Sequence, residues 1–327
     1  MTNRQIGATS QRYFGVPPKF DPKKGKTVFE PEGSGYGYWV GGHSVVFDLD
    51  EEKFYLYYRV RHPLGKGRGG KCRIAESTDG AVFTDIWEAT KEQLDAESIE
   101  VGSLIKDPNT GKWRLYISYQ VPGGPWRVDL IEADHPKNFD PWHHRTVMQP
   151  HEYGLQFVKD PRVYIVGGLY VVFVAVPARE HWTEDESGWR HPVGGDATGI
   201  MTSPDGIYFR NFKYVFEPGQ GALGEWGHFR ARINSIVYLP PVYVGFFDGG
   251  ATMYDNYEEW CGVAFSHDLE HWTRVSTDGP WVRSPHGCIR YMDALIVGDE
   301  IWYYYEWTRE DGSHEIRMNK VSLGQDL

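Results

Sequence analysis

Carboxylates and arginines recur at strand ends in this chain. Asp160 stands in Lys159–Asp160–Pro161–Arg162, Asp248 follows the run Val242–Phe247, and Glu306 follows Ile301–Tyr305. Arg59 and Arg61 come after Phe54–Tyr58, Arg230 and Arg232 follow His228, and Arg290 stands three residues before Asp293. Two carboxylates facing one acetal oxygen supply the acid and the base that glycoside hydrolysis needs. Guanidinium forks bind carboxylate, sulfate or phosphate through paired hydrogen bonds. An arginine cluster in a chain of net charge −11 needs a local reason. Either it pairs with the carboxylates and holds strands in register, or it receives an anion. For the cluster as a whole the anion is the preferred reading.

These residues are far apart in sequence, so a repeated scaffold must gather them. Five aromatic-rich strands are legible: Phe54–Arg59, Trp113–Ser118, Leu169–Val174, Val242–Phe247 and Ile301–Glu306. Each follows an apolar strand and a turn (DLDEEK, DPNTGK, VGG, LPP, VGDE). A period of roughly 50–65 residues with several short strands per unit marks a β-propeller. The expectation is an all-β chain forming a single five-bladed β-propeller domain over residues 1–327, with 1–25 as an extended arm. The last repeat lacks a fourth strand. KTVFEP (26–31) resembles KYVFEP (213–218), which ends the third repeat, so the N-terminal segment is expected to complete the last blade and close the ring. The aspartates of STDG, SPDG and SHDLEHW fall where third strands turn into fourth ones and read as turn residues.

In such a ring, first-strand starts and second-strand ends share one face. That rule gathers Asp160, Glu306 and Asp248 with His43, Arg59, Arg61, Arg162, His228, Arg230, Arg232, Arg290 and Asp293; Glu100 and Tyr291 join them. Aligning the second strands on their aromatics sets Arg59, Ser118, Val174, Phe247 and Glu306 at one level. The long loop Pro177–Asp196 falls on the same face. Its Trp182 and Trp189 are suited to stacking on a sugar ring, although a solvated charged insertion is an equal reading.

VKDPRVYIVGGLYVVF (158–173) resembles the third-blade opening of five-bladed propeller glycosidases. In glycoside hydrolase family 43 an Asp-Pro pair begins that strand, and its Asp tunes the general acid. Tyr58–Arg59 and AESTDG (75–80) look like strings of family 130, the mannoside phosphorylases and related hydrolases, and family 32 carries a comparable Arg-Asp-Pro motif. The resemblance implies that Asp160 is the acid or its tuning neighbour. The family 43 triad is not intact, because WVGGHS offers His43 where its base Asp would stand, and HFRARIN offers Arg230 and Arg232 where its acid Glu would stand.

Other classes fall away. The negative charge disfavours nucleic acid and anionic membranes as partners. No run of 18 apolar residues suggests a membrane span. The N-terminal segment has no signal-peptide core, and three cysteines without paired spacing read as reduced thiols, so a cytoplasmic location is expected. No metal-ligand spacing and no cofactor motif occurs; the expected partner is a carbohydrate, and oligomeric state has no signature. The leading reading is an exo-acting glycoside hydrolase, with Asp160 working with Glu306 or Asp248 on an oligosaccharide or glycoside, one bearing an anionic sugar being compatible. A phosphorylase using inorganic phosphate and a non-catalytic sugar-binding propeller remain open beside it.

Overall fold

The computed structural model describes residues 15–179, 181–184, 187–188, 190–193, 195–219 and 226–323, with only the backbone described at 181–184 and 190–193. Among them there are strands, turns and short 3-10 segments, but no α-helix. The strands fall into successive antiparallel sets. The first is Trp39–Asp48, Lys53–Arg61, Lys71–Ser77 and Thr84–Thr90; the second is Ser98–Lys106, Trp113–Gln120, Trp126–Ala133 and Arg145–Met148. Lys159–Val166, Leu169–Pro177, Asp196–Ser203 and Arg210–Phe216 form the third, and Arg230–Leu239, Val242–Gly250, Trp260–Ser266 and Trp272–Arg274 the fourth. The last is Ile289–Val297, Glu300–Thr308 and His314–Ser322.

The aromatic runs are continuous because each second strand buries both faces. Successive side chains of a strand point to opposite sides. Tyr55 and Tyr57 therefore pack with Trp113 and Leu115 of the second set, while Phe54, Leu56 and Tyr58 pack with Trp302 and Tyr304 of the last. The Phe54 and Trp302 rings stack at 4.7 Å, which puts the two ends of the chain of sets side by side. First strands touch in sequence, and the last set's touches the first's. At the inner edge, single parallel pairings (Asp196 with Arg230, Trp39 with His314) join a third strand to the next set's first strand.

The strand expected near 26–31 is Lys26–Phe29, antiparallel to His314–Ser322, with Lys26 opposite Met318 and Phe29 opposite Ile316. The segment before it was expected as an extended arm. Its first 14 residues lie outside the described ones, and the rest is packed down. Phe20 stacks on Tyr303 at 4.7 Å, the Tyr303 hydroxyl donates to Pro18 O at 2.9 Å, and the Tyr305 hydroxyl donates to Pro22 O at 2.9 Å. The turn aspartates act as turn residues. Asp79, Asp205 and Asp268 each accept two backbone N–H bonds two and three residues on, behind a serine that caps the same turn.

Candidate active site

Each first strand carries a bulge at the same depth. Register breaks fall between Gly41 and Ser44, Ile99 and Gly102, Lys159 and Arg162, Ile233 and Ser235, and Arg290 and Asp293. Bulges bend a strand and re-aim a side chain. Here they place Gly42, Glu100, Asp160 and Tyr291 at corresponding points. Gly42, Asp160 and Tyr291 take left-handed φ values of 59°, 53° and 51°. For Tyr291 that conformation is uncommon and held by its surroundings. Asp160 is pinned there by its own N–H, which donates to Ser118 Oγ at 3.1 Å.

The pairing also corrects the expected alignment of the second strands. Opposite the residue just before the bulge stand Arg59, Tyr119, Ala175, Phe247 and Glu306. Arg59, Phe247 and Glu306 are therefore level as expected, and Ser118 and Val174 are one step off. Glu306 at this level faces Arg290, and Asp248, one residue further along its strand, faces Arg232.

Most of the expected residues meet in one buried ion network. Arg290 forks onto Glu306 (Nη2 to Oε1 2.6 Å, Nε to Oε1 3.0 Å) and reaches Glu259 at 2.8 Å. Arg232 binds Glu259 at 2.8 Å and lies 3.3 Å from Asp248, 3.4 Å from Asp196 and 3.7 Å from Asp160. Arg230 donates to Asp196 at 3.1 Å, and Arg61 to Glu100 at 2.9 Å. Arg59 lies 3.2 Å from Glu100 and 3.8 Å from Glu306. Gly41 permits this closeness, because a Cβ there would overlap the Glu306 carboxylate.

The carboxylates in this network differ in character. Glu306 and Asp248, expected to react, are fully buried. Burial pushes Glu306 up, but Arg290, His314 and Arg59 outweigh it and hold the group below the usual carboxylate range. Asp248 is pushed up to about 7 by burial, only partly countered by Arg232. Asp160 is raised by burial against the pull of Lys159 and Arg232. Neither of its carboxylate oxygens has a hydrogen-bond partner, although both are buried. Glu100 and Asp196 are lowered: burial is overcome by Arg61 and Arg59 for the first, and by Lys159, Arg232 and Arg230 for the second.

The remaining expected residues sit elsewhere. His43, Arg162 and Asp293 lie deeper along the first strands. Arg162 Nη1 donates to His43 O at 2.6 Å, and Asp293 accepts from Val45 N at 2.7 Å. Burial, with Arg162 nearby, brings the His43 imidazole down to about 3, so it is neutral. Asp293 is raised to about 6 by burial. His228 is buried with neither ring nitrogen hydrogen-bonded. Trp182 lies in a short backbone hairpin, His181–Glu184 with Arg190–Val193, and its side chain is outside the described residues, as is Trp189. A cavity of about 1030 Å³ opens toward the far ends of the same first strands, past Asp293 and Arg162, and not at Asp160.

Asp196, Glu259 and His314 were missed. All three lie at or beside the start of a third strand, where the inner edge meets the next set. Attention to first-strand starts and second-strand ends alone skips that position. His314 binds Glu306 at 2.7 Å and Glu258 at 3.2 Å.

The sequence matches no protein-family model and no curated protein. Solved structures do match. A thermostable family-43 glycoside hydrolase superposes with a TM-score of 0.66 at 14% identity, over 90% of this chain and 92% of that one. The chain has the fold of the propeller glycosidases. β-1,2-Mannobiose phosphorylase from Listeria innocua, solved with β-1,2-mannobiose, gives 0.60 at 14% identity over 90% and 93%. An N-acetylgalactosamine deacetylase from F. plautii, in complex with blood group B trisaccharide, gives 0.64 at 10% over 90% and 93%. One fold carries three chemistries in these structures, so the chemistry of this chain must be argued from its own residues.

Proposed function

We propose that this protein is a glycoside hydrolase built as a closed five-bladed propeller in one domain, acting at the face where Asp160 and Glu100 lie. The observation that carries this reading is Asp160. It is a buried carboxyl with no hydrogen-bond partner for either oxygen, on a left-handed bulge, in a cluster of cations. A buried acid whose hold on its proton is strengthened by burial suits the donation of a proton to a leaving group.

Glu100 is the ionised partner in this reading. It holds the bulge position of the adjacent set, its charge acts on Asp160 more strongly than that of Asp196, and its own environment moves it the opposite way. Opposed environments of neighbouring carboxyls divide the acid from the base. Asp160 protonates the glycosidic oxygen while Glu100 takes a proton from water. The water oxygen bonds to the anomeric carbon as the bond to the aglycone breaks. Asp160 is left ionised and Glu100 protonated, and exchange with solvent resets both. Glu306 and Asp248, fixed against guanidiniums, orient the arginines. The hairpin of His181–Glu184 with Arg190–Val193 follows directly on the Pro177–Asp196 pair, and in this reading attack is at a chain end.

Incubating the protein with a panel of aryl glycosides and disaccharides, with and without inorganic phosphate, tests the reading. Release of reducing sugar without phosphate, abolished in Asp160→Asn, is the expected result. Release only with phosphate, as the likeness to the mannobiose phosphorylase allows, would replace hydrolysis by phosphorolysis.

A further inference from the structure

Arg59 is charged, fully buried and without a hydrogen bond to any of its three guanidine nitrogens. Its two carboxylate neighbours are already committed. Glu100 accepts from Arg61 at 2.9 Å, and Glu306 accepts from Arg290 at 2.6 Å and His314 at 2.7 Å. Arg59 is therefore ion-paired with both carboxylates but hydrogen-bonded to neither. A buried guanidinium is costly unless something fills its donors.

The surroundings define what would fill them. The Arg59 guanidinium lies 5.4 Å from the centre of the Tyr291 ring, and Arg232 and Arg290 lie 5.6 Å and 5.0 Å from the same ring. Tyr291 stands at the bulge position that Asp160 holds in the third set, and Asp160 acts on its charge. Arg232 Nε is a further buried donor without a partner. Three guanidiniums around one aromatic wall, beside the proposed acid, form a monoanion cradle with an apolar floor.

We infer that Arg59, with Arg232 and Arg290 around Tyr291, receives the carboxylate of an acidic sugar, so that the substrate class is glycosides of uronic acids or comparable carboxylated sugars. This rests on the glycoside reading above. A planar carboxylate matches the fork of a single guanidinium with unfilled donors. Inorganic phosphate shares the oxyanion chemistry, and the binding test distinguishes the two.

Binding separates this inference from turnover. Free glucuronic, galacturonic and mannuronic acids are titrated calorimetrically into the full chain beside glucose, galactose and mannose, then beside inorganic phosphate. At least one uronic acid should bind roughly 10- to 100-fold tighter than its neutral counterpart, the worth of a charge-assisted hydrogen bond. Arg59→Met should erase that difference, and Arg59→Lys, which keeps charge but not the fork, should keep part of it. If Arg59→Met does not fold, as circular dichroism would report, Arg59→Lys carries the test. Equal binding of neutral and acidic sugars, or no uronic acid bound, overturns the inference while leaving glycoside cleavage to be judged by its own assay. Phosphate bound tightly, with uronic acids failing to displace it, overturns it in favour of the inorganic ion.

Discussion

Arg290 and Glu306 face each other across the first and second strands of the last set, joined by a fork of 2.6 and 3.0 Å, and Arg232 and Asp248 repeat the relationship in the set before. Glu259 ties the two pairs together, accepting from Arg232 and from Arg290 at 2.8 Å each. The repeat thus produces not a pair of free carboxylates but a lattice of held ones.

Glu306→Gln should be strongly destabilising. It removes the charge that Arg290, Arg59 and His314 share, and leaving such partners buried costs about 3–5 kcal/mol. Urea unfolding of the variant against wild type measures this; an unchanged midpoint and slope would contradict a buried network.

Asp160→Asn should behave in the opposite way. Its carboxylate oxygens have no hydrogen bonds to lose, and its raised pKa means that ionisation in the folded state costs stability at neutral pH. The variant should melt at or above the wild-type temperature while hydrolysis falls about 10²–10⁴-fold. Loss of fold together with activity would make Asp160 structural.

The pH profile of hydrolysis should be bell-shaped. Asp160 must be protonated, so the upper limb falls as pH rises through its raised pKa. Glu100 must be ionised, so the lower limb falls as pH drops through its lowered one. Glu100→Gln should remove the lower limb and most of the rate; Asp196→Asn with the same signature would move the base assignment to Asp196.

Asp248 predicts a stability difference with a definite sign. Its folded pKa is about 7, above the usual carboxylate value, so the native state binds the extra proton between about pH 4 and 7. Stability from this group is present at the acid end and lost as pH rises through that window. The stability gap between wild type and Asp248→Asn should therefore shift steadily across it, by at most about 1.4 kcal/mol per pH unit. A gap that stays constant from pH 4 to 7 would mean Asp248 is ionised throughout.

Removing residues 1–31 should strip the strand that pairs with His314–Ser322 and the ring that stacks on Tyr303. An uncovered sheet edge invites pairing between chains. A truncated protein that stays monomeric by light scattering, with an unchanged melting temperature, would show that the N-terminal segment is dispensable.

Much of this was legible in one dimension. Aromatic strands of unbroken hydrophobicity announce sheets buried on both faces, and turn chemistry at regular intervals announces their repetition. The match between KTVFEP and KYVFEP located a strand at the opposite end of the sequence from its partner, since Lys26 pairs with Met318. Asp160 stood out because its Asp-Pro-Arg string at a strand start resembles that of the propeller glycosidases.

Charge partnership was not legible. Asp248, Glu306 and Asp160 are alike as letters at strand ends, yet two accept hydrogen bonds from arginine and one does not. Which carboxyl keeps free oxygens depends on distances of a few ångströms between side chains from different sets, and on bulges that shift the register by one residue. Local sequence sets strand, turn and apolar face, because those follow from neighbouring residues. Proton affinity and ion pairing follow from what lies on neighbouring sets of strands, and only the folded chain brings Arg59, Glu100, Asp160 and Tyr291 within each other's fields.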